Sequence, residues 1–267
     1  MEYKLDMSMM FAMHDALRRE LAQVGRVASR QDGNPATLLR AALGWELFKK
    51  FLTVHHQSED DALWPPLRAA VAGRSDRVAL ADALEAEHAV IEPLLAAIDA
   101  AAADPDYGYQ RFGDIIDELS AKLTAHLVHE EADGLPLIDA SLTPAEWQHF
   151  AQVHGERNLP DASTYMPWLL AEARPQVLDA ILGKFPPHLL AAYREQWAPA
   201  YAALEIWPAN GEPVPSDAAH DRLWDSLAVH DPARTALPAS AVRGENPGRA
   251  WAYELPPGMP FPWLRPG

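Results

Sequence analysis

The sequence contains no cysteine, which excludes disulfides, thiolate metal sites and cysteine nucleophiles. Any metal must therefore be held by His, Asp or Glu, and these ligands favour iron, manganese or zinc. Basic residues are also few. The 22 Lys and Arg against 38 Asp and Glu give a net charge of −16, which argues against nucleic acid or an anionic membrane as a partner. No apolar run approaches the roughly 20 residues of a membrane helix.

What the sequence does contain is a large apolar fraction, 49% of its 267 residues, which is enough for a substantial core. The N-terminal stretch MEYKLDMSMMFAMHDALRRE has an acidic start and then a charged helical pattern, which differs from a secretory signal. These features together predict a soluble, cytoplasmic protein that does not contact membranes.

Four long segments in the first half carry apolar residues at helical spacing, separated by short connections rich in Gly, Pro, Asp and Ser. The predicted helices cover about 8–30, 34–63, 76–102 and 109–133, with Asn34 as an N-cap of the second and a loosening at Gly134 and Pro136 after the fourth. Residues 1–140 show no alternating strand pattern. The pattern predicts an all-α protein with an antiparallel, up-down-up-down four-helix bundle in 1–140.

Two further regions follow the predicted bundle. In residues 141–205 we expect a helical extension, which opens on a capping box between Thr143 and Glu146 and continues with helical pieces at about 174–183 and 186–204. Residues 206–267 are rich in proline and carry four tryptophans, Trp207, Trp224, Trp251 and Trp263. Because purely disordered segments are poor in aromatic residues, we expect this extended tail to dock on another surface.

The segments HHQSEDDALWP (55–65) and HLVHEEADGLP (126–136) repeat one pattern of His, three residues, Glu, an acid, four residues and Pro, at a constant offset of 71. Upstream of each lies a single histidine, 41 residues before His55 and 38 before His126. Each half is thus a helix with one His followed by a helix with His-x3-Glu. A duplication in register indicates a structural unit built twice, whereas unrelated surface ion pairs have no reason to recur.

Packing two such helical hairpins together brings their ligand-bearing faces around one bundle axis, where metal sites are commonly built. Six side chains are too many for one ion that keeps open positions. They suit two ions, each taking two histidines and sharing bridging carboxylates. The predicted ligands are His14, His55, Glu59, His88, His126 and Glu130.

These segments resemble the hemerythrin-like, or HHE, family, whose pattern is a His on helix one, H-x3-E-[DE] and Pro on helix two, a single His on helix three, and H-x3-EE and Pro on helix four. The resemblance covers about 1–140. The stretches TPAEW (143–147), MPW (166–168) and KFPP (184–187) also look like an extension common in bacterial members. The resemblance implies a pair of iron ions, Fe2+ or Fe3+, although the ligand types also suit manganese or zinc.

The sequence departs from the oxygen-carrying hemerythrins of invertebrates at two positions. Those proteins have two histidines four apart on the third helix, but here Leu84 lies four before His88. Their acid on the fourth helix lies five residues past the His, which would be Glu131 rather than Glu130. Fewer fixed ligands leave more positions for O2 or peroxide, so the sequence favours reactive chemistry over reversible oxygen carriage.

Several neighbouring residues are weaker candidates. Repeat symmetry favours Glu130 over Glu131, and Glu92 is an occasional ligand or an outer partner. His56 and His129 are off the predicted inward face, so we expect surface or outer-shell positions, with His56 a substitute ligand if the register slips. We also expect His149 and His154 on the surface.

Three functions remain open from the residues. The first is a di-iron protein that binds O2, peroxide or NO and serves oxidative or iron homeostasis, for example as a peroxidase or catalase-like enzyme. The second is a di-iron oxidase or oxygenase with a small organic substrate, which the chain beyond the bundle would help to bind. The third is a non-enzymatic redox or gas sensor that acts through the aromatic tail. The pattern leaves the oligomeric state and the catalytic residues undetermined.

Overall fold

The structure, a computed structural model, describes residues 3–29, 34–104, 109–204 and 206–207. These ranges are helical and contain no strand, which confirms the all-α prediction. None of the described helices combines the length and hydropathy that crossing a bilayer requires. The helices are α1 (Ser8–Ala28), α2 (Pro35–Ala41), α3 (Leu43–Ala62), α4 (Trp64–Ala70), α5 (Ser75–Ala103), α6 (Tyr109–His129), α7 (Leu135–Ser141), α8 (Pro144–Asn158), α9 (Ala162–Leu170), α10 (Pro175–Leu182), α11 (Pro187–Ala192) and α12 (Ala198–Ala202).

The described chain forms two compact units. The first contains residues 3–16 and 155–204, and the second contains 17–29, 34–104, 109–154 and 206–207. The predicted limits at 140 and 205 stay predictions. Most of the predicted tail, from residue 208 onward, lies outside the described residues.

The second unit is a helical bundle in which α5 packs along α6, and α2, α3 and α4 pack against α5. Its long helices bury one apolar stripe each, as the helical period of the sequence requires. The core of this unit includes Trp45, Phe48, Phe51, Leu84, Ile91, Ile98, Phe112, Ile116, Leu119 and Leu123. The up-down order of the helices stays a prediction.

The predicted second helix is interrupted, so its extent of 34–63 was wrong. Asn34 does cap the start, because the amide of Ala36 donates to its Oδ1 at 3.0 Å. Ala42 then adopts an extended conformation with ψ of 116°, which separates α2 from α3. The amide of Gly44 donates to the carbonyl of Ile206 at 2.8 Å. The carbonyl of Ile206, distant in sequence, therefore replaces the helical hydrogen-bond acceptor of the Gly44 amide.

The predicted fourth helix also continues further than expected, through one wide π turn and into α7. The turn spans Glu130–Gly134, and the amide of Leu135 donates to the carbonyl of Glu130. Pro136 stands near the start of α7, where its missing N–H costs nothing. Single π turns within α-helices occur frequently at functional sites.

The first unit contains the N-terminal half of α1 and the helices from α9 to α12. The predicted helical pieces near 174–183 and 186–204 correspond to α10 and to the run from α11 to α12, whereas α9 was not predicted. Lys184 forms an ion pair with Asp6 and donates to Ser8 Oγ at 2.8 Å. These contacts join the two chain segments of the unit, 3–16 and 155–204.

The capping box is present as predicted. The backbone amide of Thr143 donates to Glu146 Oε2 at 2.8 Å, and the amide of Glu146 donates to Thr143 Oγ1 at 3.3 Å. The reciprocal bonds satisfy amides that the first turn of α8 leaves without helical partners.

Candidate metal centre

The two repeats place a histidine and a glutamate on the interior of the second unit. On α3, His55 and Glu59 are one turn apart, and their side chains are buried. On α6 and the π turn that follows, His126 and Glu130 have the same spacing and are equally buried. Spacing of four residues puts both members of each pair on one helical face.

Glu59 lies between histidines of two helices. Its Oε1 is 3.4 Å from His55 Nε2, and its Oε2 is 3.4 Å from His88 Nε2 on α5. Both separations exceed those of a good hydrogen bond. Burial, together with repulsion from Glu130 and Asp60, raises the pKa of Glu59 well above its ordinary value. Glu59 therefore has one oxygen toward an imidazole on α3 and the other toward an imidazole on α5.

The imidazoles of His88 and His126 meet edge to face across α5 and α6. Their Nε2 atoms are 3.2 Å apart, and the ring planes cross at 80°. Glu130 Oε2 lies 3.8 Å from His126 Nε2. His55, Glu59 and Glu130 also form a compact set, with potential ligand atoms within 4.8 Å of one another.

A carboxylate lies within hydrogen-bond distance of the Nδ1 atom of both His88 and His126. His88 Nδ1 is 2.8 Å from Asp60 Oδ1, and His126 Nδ1 is 2.9 Å from Glu87 Oε2. The second oxygen of Glu87 lies 2.8 Å from His129 Nδ1. A carboxylate that accepts the Nδ1–H holds the tautomer whose Nε2 lone pair can bind a metal.

Asp60 and Glu87 were not predicted from the sequence as partners of these histidines. A signal was present, because Asp60 directly follows Glu59 and Glu87 directly precedes His88. Neighbours on a helix point about 100° apart, so an acid beside a ligand can reach the ligand of an adjacent helix.

Two histidines, one expected at a surface or outer-shell position and one expected on the surface, are buried. His56 has only 1% of its surface exposed, and its ring stacks on His88 with centroids 3.9 Å apart. His154, on α8, is 9% exposed, and its ring lies 5.9 Å from that of His55. The surface prediction was wrong for His154, because α3 covers its side of α8. For His56, burial beside His88 contradicts the surface alternative and agrees with the outer-shell alternative. His149 is exposed, as predicted.

The weaker candidates have other partners. Both oxygens of Glu131 accept hydrogen bonds from Arg18, at 2.7 and 2.9 Å. This ion pair favours Glu130 as the carboxylate of the fourth helix. Glu92 is partly exposed and lies 3.3 Å from His56 Nδ1, while Thr53 donates to its other oxygen at 3.2 Å.

His14, the remaining predicted ligand, lies on α1 within the first unit and is fully buried. The other five predicted ligands, His55, Glu59, His88, His126 and Glu130, lie in the second unit. The complete set of six ligands stays a prediction.

The residues present fit a metal ion. Two nitrogens bound at right angles to one ion, at about 2.1 Å each, lie about 3 Å apart, close to the 3.2 Å between His88 and His126 Nε2. Two buried carboxylates at close range are costly unless a cation or a proton lies between them. Imidazole and carboxylate donors without sulfur suit iron, zinc or manganese.

These features define a helical-bundle protein with a buried His and Glu metal-binding site. The model of the hemerythrin HHE cation-binding domain matches residues 6–138, and the chain belongs to that family. No curated protein and no solved structure matches the chain. The match ends before α8, so His154 comes from a part of the chain beyond the family domain.

Proposed function

We propose that the chain is a non-haem di-iron protein that binds O2, peroxide or NO, with a role in oxidative-stress or iron-linked redox chemistry such as peroxide breakdown. The observation that carries the proposal is Glu59, whose two oxygens each lie 3.4 Å from a histidine of a different helix. One carboxylate between two sets of nitrogen donors suits a pair of ions better than a single ion.

In this proposal two iron ions would be held by the carboxylates of Glu59 and Glu130 and by the imidazoles of His14, His55, His88 and His126. Iron bound there would supply open positions for a small ligand and the electrons for its reduction. Asp60 and Glu87 lie at the Nδ1 atoms of His88 and His126, and a carboxylate that accepts the Nδ1–H orients the ring and leaves Nε2 available to a metal. The surrounding apolar core keeps bulk water from the ligands.

The alternative is a di-iron oxidase or oxygenase that acts on a small organic substrate. The contact of His154 with the ring of His55 favours it, because it adds a polar side chain from beyond the family domain to the surroundings of the site. A purely gas-binding protein has no need of that contribution. Turnover of an organic substrate with O2 consumption would separate this alternative from ligand binding.

The first experiment is an anaerobic Fe2+ titration of the full chain, followed by stopped-flow mixing with O2. We expect two tightly bound iron ions per chain and a visible absorption band on mixing. A lasting band supports ligand binding or sensing, and a band that forms and decays supports peroxide or oxygen chemistry. Absence of bound iron would refute the di-iron proposal. The His14→Ala variant tests whether His14 is a ligand, and the exposed His149→Ala variant is its control.

A further inference from the structure

Two acidic residues follow one another in the π turn after α6, and only one of them is fully buried. Glu130 has no exposed surface and its Oε2 lies 3.8 Å from His126 Nε2, whereas Glu131 keeps 15% of its side chain exposed. The two side chains are chemically identical. Packing around the turn must therefore determine which carboxylate is presented to a cation.

Arg18, on α1, binds the second of these acids. Its two terminal nitrogens donate to the two oxygens of Glu131, at 2.7 and 2.9 Å. A pair of parallel N–H donors fixes both the position and the plane of a carboxylate, which a single ammonium group does not. The guanidinium side chain is only 20% exposed, so solvent ions screen this pair less than a pair on the open surface.

The π turn makes both acids possible neighbours of His126 on one face of the helix. In an α-helix the residue on the same face as His126 is four positions on, which is Glu130. A π turn contains one extra residue, because its hydrogen bonds join residues five apart. In this structure the extra residue follows Glu130, since the amide of Leu135 donates to the carbonyl of Glu130. A π turn placed earlier would instead bring Glu131, five positions on, to the face of His126.

The ion pair with Arg18 opposes that earlier placement of the π turn. Glu131 could turn inward only by leaving the guanidinium, and separating a partly buried pair leaves two uncompensated charges. Without Arg18 this cost disappears, and a bound metal cation would attract the second carboxylate.

We infer that Arg18 is a positioning residue for the metal site. By holding Glu131 it determines that Glu130 is the carboxylate that the turn after α6 gives to the metal. Arg18 is not itself a ligand, because a guanidinium has no lone pair to offer. The inference rests on the proposed di-iron function, in which Glu130 is one of the ligands.

A positioning role and a purely stabilising role differ in what the loss of Arg18 does to the ligands. A stabilising ion pair that is lost lowers the free energy of unfolding but leaves the same side chains on the metal. Loss of the positioning residue admits Glu131, so the ligand set itself changes. That change should disappear when the carboxylate of Glu131 is also removed.

The test is an anaerobic titration of the full chain with Co2+, whose visible spectrum reports the ligands around each ion. We expect wild type to bind two ions, and Arg18→Met to bind two ions with a shifted spectrum. The double variant Arg18→Met/Glu131→Gln should return to the wild-type spectrum. Arg26→Met is the matched control, because it removes a guanidinium from the same helix that donates to Gln23 rather than to an acid of the π turn.

A second series measures the same role through affinity. Glu130→Gln should raise the Kd of at least one Fe2+ ion at least about tenfold, since it removes a proposed ligand. Adding Arg18→Met should recover part of that affinity, because Glu131 can then replace the lost carboxylate. The recovery should exceed any gain that Arg18→Met gives in the chain that keeps Glu130, which corrects for the removed positive charge.

Circular dichroism and urea unfolding establish that each variant is folded, and Arg18→Gln is a second charge-removing variant that keeps a polar side chain at this position. A wild-type Co2+ spectrum in folded Arg18→Met and Arg18→Gln would overturn the inference. So would a shifted spectrum that persists after Glu131→Gln is added. Failure of wild type to bind two ions would instead refute the proposed function, and the inference with it.

Discussion

The Cβ that an alanine would add at Gly134 approaches Glu130 Cγ to 3.1 Å and the Leu84 side chain to 2.9 Å. Because Gly134 has no side chain, the π turn leaves room for the side chain of Glu130, a predicted ligand. Leu84 lies four residues before His88 on α5. In this protein its side chain packs against the turn that carries Glu130.

Replacing Gly134 by alanine should destabilise the protein and weaken metal binding. The new methyl must displace Leu84 or Glu130, and overpacking of this kind costs about 1–3 kcal/mol, part of which the better helix propensity of alanine offsets. Urea unfolding of the metal-free protein measures the first effect, and a Co2+ titration measures the second. Gly113, on α6, is the control, because a Cβ there meets nothing within 4 Å. Gly113→Ala should stabilise by about 0.5–1 kcal/mol, so equal effects of the two changes would contradict this account.

The Asp60→Asn and Glu87→Gln variants should keep the fold and lose metal affinity. Each removes the carboxylate at the Nδ1 of one histidine, and loss of such outer partners typically lowers metal affinity about 10–100-fold. Equilibrium titration with Fe2+ or Co2+ measures the change. Asp61→Asn, at the exposed position next to Asp60, provides the control and should leave both affinities near wild type. Unchanged affinity in both test variants would argue against His88 and His126 as ligands.

The contribution of Glu59 to the stability of the metal-free protein should fall as the pH rises above about 4.5. Burial and the neighbouring acids raise the pKa of Glu59 in the folded state, so the folded chain holds a proton that the unfolded chain releases. The stabilisation from this group is fully present below the unfolded pKa and is lost as the pH rises toward the folded pKa. Glu59→Gln should flatten this part of the profile.

Urea unfolding of the metal-free protein at several pH values between 4 and 8 tests this dependence. The exposed Glu118→Gln variant controls for the general loss of one acid. If Glu59→Gln and wild type lose stability in parallel over that range, Glu59 is not the responsible group. Metal must be absent, because a bound cation favours the ionised carboxylate and removes the effect.

Trp207 should stabilise the second unit through Glu20. Its Nε1 donates to Glu20 Oε2 at 2.6 Å, and the indole packs where a Cβ on Gly44 would be 2.2 Å from the ring. Because Glu20 is buried, Trp207→Phe should cost about 1–3 kcal/mol by leaving an acceptor without its donor. A double-mutant cycle with Glu20→Ala, measured by urea unfolding, should give a coupling energy of at least about 0.5 kcal/mol. Strictly additive effects would show that the pair contributes nothing.

Much of the fold and most of the candidate site could be predicted from local patterns. The helical spacing of the apolar residues predicts that His55 and Glu59 lie on one face of a helix. The capping box joins Thr143 and Glu146, which are three residues apart. Such features depend on helical geometry alone, so they are visible in the sequence. The in-register repeat added the decisive information, because it related two helices that no local pattern could relate. The hemerythrin HHE model matches residues 6–138, the region that contains both repeats.

What the sequence by itself determined, then, was the helical period, the duplication and the ligand types that the lack of cysteine leaves available. The tertiary structure decided which other side chains reach the site. The sequence predicted a surface position for His154 and left His56 at either a surface or an outer-shell position, and packing buries both. Next to the break at Ala42, the amide of Gly44 donates to the carbonyl of Ile206, more than 160 residues away. These outcomes depend on which helices lie side by side, and a one-dimensional period specifies the face of a helix but not the neighbour that covers it.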